Sequence, residues 1–253
     1  MIGGTRRLGE VLAVLSGKGG TGKTSVCAGI ATALAQSGER VLCIDCDVGL
    51  RNLDISLGMS DSGALSFLDV CSGDYSLDCA EHHPSCSGLR FLTAPMNCHV
   101  EEIDPLAFGE MLRTARQSYD YIFLDAPAGV DAGFRLVTDC ADRFLVVTGA
   151  GPAAIRDASR VAELLELAGK TNIRLIVNRV DRDMLDAVRL TIDDVMDTSG
   201  LPLIGVVLED PNVVLAASFG KPLLEYAKRC AAAKSFRKIA RRIQGFPEPM
   251  KLR

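Results

Sequence analysis

Seven short, largely continuous apolar runs punctuate this chain, at residues 11–15, 41–44, 89–92, 121–124, 144–148, 174–178 and 203–208. A strand that is apolar on successive positions buries both faces, as in a parallel sheet covered by helices above and below. The segments between carry apolar residues three and four apart, predicting helices around 24–37, 65–70, 105–117, 155–168, 185–199 and 223–243. Strands alternating with amphipathic helices predict an α/β fold, a doubly wound, mostly parallel sheet with helices on both faces. In such sheets ligands bind at the carboxyl ends of the strands, so the residues after each run come first in the search for chemistry.

The first run leads into Ser16-Gly17-Lys18-Gly19-Gly20-Thr21-Gly22-Lys23-Thr24. This fits the template G-x-x-x-x-G-K-[ST], with an additional lysine, Lys18, after the first glycine. Small residues let successive backbone N–H groups converge on phosphate oxygens. Lys23 then brings a positive charge to the phosphates, and the Thr24 hydroxyl is a direct Mg²⁺ ligand. Val26, Cys27, Ile30, Ala31 and Leu34 fall on one face of the following helix, and Gly38 is placed to end it. Gly17-x-Gly19-x-x-Gly22 also meets the dinucleotide fingerprint, with Asp45 where a ribose-binding acid would stand. Lys23 and Thr24 have no task in that reading, so a nucleoside triphosphate with Mg²⁺ is the expected ligand.

Acids close two other strands. The second run is followed by Asp45-Cys46-Asp47-Val48-Gly49-Leu50-Arg51-Asn52-Leu53-Asp54, the fourth by Asp125-Ala126-Pro127-Ala128-Gly129. Carboxylates at these strand ends suit a Mg²⁺–triphosphate site, where they hold metal-bound waters or orient an attacking water. Gly129 gives the backbone freedom to respond to a terminal phosphate. Any one of these acids could be an ordinary cap; three converging on a Gly-Lys-Thr loop read as a site.

The stretch Lys18–Thr24, the block Asp45–Asp54 and Asp125-x-Pro127-Ala128-Gly129 resemble the deviant Walker A ATPases of the MinD/ParA family. Gly49–Asp54 is most like the MinD branch, which positions the bacterial division site, and the similarity runs from about residue 11 to about 243. The resemblance implies an ATPase, with ATP and Mg²⁺ as cofactors, that works as a homodimer in septum placement. Lys18 would reach across to the partner's phosphates, while Gly17, Gly19, Gly20, Thr21, Gly22, Lys23 and Thr24 hold the subunit's own nucleotide. Asp47 would orient the attacking water with Asn52 nearby, and Asp45 and Asp125 would support the metal shell through water. Asn178 and the loop around Pro211 would contact adenine. An activator and an effector of the MinE and MinC kind are the implied protein partners. Alternatives are a ParA-like partition or cargo-positioning ATPase, a regulator of flagellar number, and a nucleotide-binding scaffold without turnover. A metal-cluster carrier resembling the nitrogenase iron protein is a further alternative, and it would need Cys98 or Cys140 at the dimer axis.

The organisation expected is an N-terminal extension over 1–10, an ATPase domain over 11–243 and a short tail over 244–253. With two prolines the tail does not form the amphipathic anchor usual in the MinD branch. Phe236, Ile239, Ala240 and Ile243 form one face of the last helix, and Lys234, Arg237, Lys238, Arg241 and Arg242 the other. That face reads first as the final helix of the fold, then as a contact for anionic lipid, then for DNA. A formal charge of −4 argues against general polyanion binding. No apolar run has transmembrane length. Nine cysteines without a secretion signal read as reduced thiols in the cytoplasm, with attachment at the inner membrane face a further option. Cys79, His82, His83, Cys86, Cys98 and His99 share one window but match no regular zinc spacing, so a loop is expected there. Cys43-Ile44-Asp45-Cys46 has redox-motif spacing but sits on a strand, which removes the helix start that would stabilise a thiolate.

Overall fold

The computed structural model describes residues 7–96 and 98–250. In chain order the elements begin β1 (Glu10–Leu15), α1 (Lys23–Gln36), β2 (Val41–Asp45), α2 (Leu53–Leu57), α3 (Phe67–Cys71), β3 (Glu81–His82) and β4 (Leu89–Leu92). They continue with α4 (Pro105–Ser118), β5 (Tyr121–Asp125), α5 (Ala132–Cys140), β6 (Arg143–Thr148), α6 (Pro152–Leu167) and β7 (Ile173–Val180). The last are α7 (Arg182–Val188), α8 (Ile192–Ser199), β8 (Leu203–Leu208), α9 (Asn212–Ser218), α10 (Leu223–Tyr226) and α11 (Ala231–Ile243).

Among the described residues the sheet has eight strands in the order β3-β4-β2-β5-β1-β6-β7-β8, parallel throughout except for the two-residue β3. Strand side chains alternate between two cores. Val11, Ala13 and Leu15 point to the layer holding Phe67, Phe108 and Val161, while Leu12 and Val14 meet Ile30, Leu34 and Phe236 on the other face. This is why the strands are apolar on consecutive positions. α1 lies on one face of the sheet beside α11, which itself packs on Gly205 of β8, and is buried on more than one face, down to Gly29, where a Cβ would stand 2.3 Å from the Phe236 ring. The apolar face of α11 is therefore spent inside the fold, with Lys234 and Lys238 outward.

All seven expected strands form. Two long helices do not. The segment 185–199 divides into α7 and α8, because Arg189 is left-handed (φ 53°) and Thr191 starts the second helix in a capping box with Asp194. The segment 223–243 divides at Ala227, and Cys230 caps α11. β1 begins at Glu10, and Gly9 already donates its N–H to Arg116 O, so the ordered fold reaches into the expected extension. Residues 1–6 of that extension and 251–253 of the tail lie outside the described residues. The rest of the tail is tied to α11: Arg241 pairs with Glu248, and Arg242 donates to the Glu248 and Pro249 carbonyls. No helix among the described residues is long and apolar enough to cross a membrane.

Candidate functional site

Register assembles the site. Val14 of β1 and Asp45 of β2 both pair with Asp125 of β5, so two carboxylates lie side by side where the chain leaves β1 for the phosphate loop. From the loop, Lys23 Nζ reaches Asp125 Oδ1 at 2.6 Å, with side chains only 7% and 1% exposed. Burial works against the lysine's charge, but Asp125's charge and hydrogen bond outweigh it and hold its pKa above the ordinary lysine value. Asp45 has no such partner. Burial first, then the charge of Asp125, pushes its carboxyl up to about 6. Two buried acids against one ammonium leave an uncompensated negative charge, the electrostatic condition for a divalent cation.

Asp45 also shapes the chain beyond it. Its Oδ1 accepts the Asp47 N–H at 2.9 Å and its Oδ2 the Leu53 N–H at 3.1 Å, closing the loop between them with one carboxylate. Inside that loop Asp47 Oδ1 accepts from Gly49 and Leu50, and Asn52 is exposed at the start of α2.

The loop over residues 16–24 has the shape of an anion cradle. A Cβ on Gly19 or Gly20 would meet nothing within 4 Å, whereas one on Gly17 would strike Asp157 and one on Gly22 would strike Asn178. Gly20 and Gly22 both take φ of 81°, which favours glycine. No side chain caps the first turn of α1, so by helix geometry its leading N–H groups point at the cradle with the positive end of the dipole. The Thr21 hydroxyl is buried without a partner. An orphaned donor, open backbone and a buried lysine fit a phosphate chain, and the acid pair beside Thr24 fits its metal.

Lys18 stands apart from this cluster. It is 49% exposed on its side chain and lies 3.9 Å from Asp157 of α6. It borders an open cleft of about 470 Å³ together with Gly19, Gly20, Gly151, Arg179, Asp181 and Glu209. Asn178 and Pro211 are not on that cleft's wall. Asn178 is buried beneath the loop, donating from Nδ2 to Thr21 O at 2.8 Å, and Pro211 is the exposed residue just before α9. Sequence reasoning assigned no role to Asp157 or to the Arg179–Glu209 ion pair, whose members are 30 positions apart. Only the fold brings them to the cleft.

The cysteine and histidine window does not converge: among the described residues no three His, Cys, Asp or Glu side chains are grouped to hold a metal ion. His83 turns inward to the Leu57 carbonyl, while Cys79 and His82 are exposed. Cys43 and Cys46 are both buried, and burial pushes the Cys46 thiol up, away from thiolate chemistry.

Known proteins resemble this chain in sequence and in fold. A septum site-determining protein MinD of Synechocystis sp. is 34% identical over 240 residues, covering 94% of this chain and 90% of the relative. The MinC:MinD cell division protein complex of Aquifex aeolicus contains a chain with a TM-score of 0.88 and 35% identity, over 96% of this chain and 98% of that one. MinD complexed with Mg-ADP from Pyrococcus horikoshii gives a TM-score of 0.82 at 29% identity, over 93% and 96% of the two chains. These relatives favour neither a partition protein nor a metal-cluster carrier. Residues 12–223 match the CobQ/CobB/MinD/ParA nucleotide binding domain, and the chain belongs to that family.

Proposed function

We propose that the chain is a MinD-like ATPase that binds Mg-ATP, pairs with a second copy of itself and hydrolyses the nucleotide as a spatial switch in division-site placement. The observation that carries this reading is the buried Lys23–Asp125–Asp45 cluster beneath an open phosphate loop. Lys23 and the loop N–H groups hold the subunit's own phosphates. The Thr24 hydroxyl would be the direct metal ligand, with Asp45 and Asp125 acting through water. A Mg²⁺ ion held there would supply positive charge that offsets the excess of buried carboxylate and stabilises charge on the phosphates. Asp47 orients the attacking water, with Asn52 beside it. Asn178 and the Pro211 loop flank the adenine, and the bond from Asn178 to Thr21 O then couples base to phosphate loop.

Lys18 gives the switch its condition. Its exposed, long contact with Asp157 is worth little, so it is free to extend into the phosphates of a second subunit. Stabilisation of the transferred phosphoryl group is complete only when both chains are present, so turnover is slow and tied to pairing. The Mg-ADP complex and the MinC:MinD complex of the relatives support nucleotide binding and an effector of the MinC kind. An activator of the MinE kind completes the reading. The nine free cysteines support a cytoplasmic place of action, and the outward lysines of α11 offer an electrostatic contact for the inner membrane face.

Size-exclusion chromatography of Asp47→Ala with and without ATP tests the proposal. Nucleotide-dependent dimers that do not hydrolyse ATP are expected, beside a wild type that does. A monomer under all conditions overturns it.

A further inference from the structure

The catalytic loop between Asp47 and Asn52 continues into α2, a helix of five residues. So short a helix has little stability of its own, and its position is set by the burial of Leu53 and Leu57 and by the hydrogen bonds at its two ends. Its first N–H, from Leu53, is held by Asp45. At its other end the Leu57 carbonyl has no further turn to bond, and it accepts a hydrogen bond from His83 Nε2 at 2.9 Å. A carbonyl only accepts, so Nε2 carries the proton and Nδ1 is left as an acceptor. It accepts the Ser85 N–H at 3.2 Å. His83 is 3% exposed, and its own N–H is fixed to Leu89 O at 3.0 Å, at the start of β4. The ring is thus a neutral strut between the sheet and the far end of α2.

We infer that His83 is a positioning residue for ATP hydrolysis, acting through Leu57 and α2 on the loop that carries Asp47 and Asn52. The inference rests on the ATPase reading and names a residue of that same site which never touches the nucleotide. Asp45 and His83 grip opposite ends of one short helix. Releasing the far end lets the Leu53 N–H move against Asp45, and with it the closure of the loop that aims the attacking water. The phosphate cradle hangs on β1 and α1 instead, so it stays in place. The effect therefore falls on the chemical step and not on nucleotide affinity.

Two amide variants separate the ring's contacts. His83→Asn keeps an amide where Nδ1 accepts from Ser85 but is too short to reach Leu57 O. His83→Gln carries an amide N–H to the position of Nε2. Urea unfolding of both variants checks that each is folded as the wild type is, so that a change in kcat reads position and not stability. In steady-state ATP hydrolysis, His83→Asn should lower kcat roughly tenfold with KM for ATP within about twofold of wild type. His83→Gln should recover kcat to within about twofold of wild type. Equal kcat in all three proteins, equal losses in both variants, or a loss confined to KM overturns the positioning role and leaves the ATPase reading intact. Absence of hydrolysis in the wild type overturns both.

Discussion

Lys18 and Lys23 belong to one glycine-rich loop, five positions apart, yet they occupy opposite physical worlds. Lys23 is buried against Asp125 at 2.6 Å, under backbone pinned by Asn178. Lys18 is half exposed, on open glycines, 3.9 Å from an acid that is itself solvated. Removing one partner of a buried ion pair costs about 3–5 kcal/mol, because the other charge is stranded. An exposed pair is worth about 0–1 kcal/mol. The inner half of the loop is therefore part of the fold, and the outer half is free to act elsewhere. In the function we propose, the free lysine finds its partner in the phosphates of a second subunit.

The largest effect expected is that of Lys23→Ala. It strands Asp125 and should lower the free energy of unfolding by about 3–5 kcal/mol in a urea titration, with loss of ATP binding. A Lys23→Ala protein as stable as wild type would erase the contrast at its strongest point.

The acid pair sharpens the same contrast through pH. In the folded, nucleotide-free chain Asp45 holds its proton up to about pH 6, whereas unfolded it has released it by about pH 4. The native state binds the extra proton in that window, so the contribution favours folding at low pH and is lost as pH rises from about 4 to about 6. The full swing is about 3 kcal/mol at most. Asp45→Asn should flatten this part of the stability–pH curve, measured by denaturant unfolding at several pH values without Mg²⁺ or nucleotide. An unchanged curve would mean that Asp45 ionises freely despite its burial.

Lys18→Ala should be the smallest change in stability, within about 0.5 kcal/mol of wild type by the same titration, while hydrolysis falls to background. A destabilisation as large as that of Lys23→Ala would show that the two lysines share a structural role.

The sheet was legible because a strand buried on both faces declares itself by local composition, and all seven such runs form. Elements of lower local contrast were not legible. β3 is two residues long, α2 is a single turn, and α5 is a nine-residue helix directly after the loop that follows Asp125. The break at Arg189 is a backbone choice that helical spacing does not display. At the candidate site, Lys18, Lys23, Thr24, Asp45, Asp47 and Asp125 are carried by local motif, and the fold brings Lys23, Asp45 and Asp125 together. Their distant partners were not legible. That Asn178 bonds Thr21 across 157 positions, that Asp157 faces Lys18, and that His83 grips Leu57 depend on packing between elements far apart in the chain.

The central claim is that Lys18 works in the other subunit's site, and mixing two inactive proteins tests it most directly. Lys18→Ala keeps its own Asp47 and lacks the reaching lysine; Asp47→Ala keeps the lysine and lacks the water-orienting acid. In a mixed dimer the lysine of the Asp47→Ala chain completes the site on the Lys18→Ala chain. ATP hydrolysis by the mixture should therefore rise well above that of either protein alone. A mixture that forms dimers with ATP and remains as inactive as its parts would place Lys18 in its own subunit's site and contradict the account.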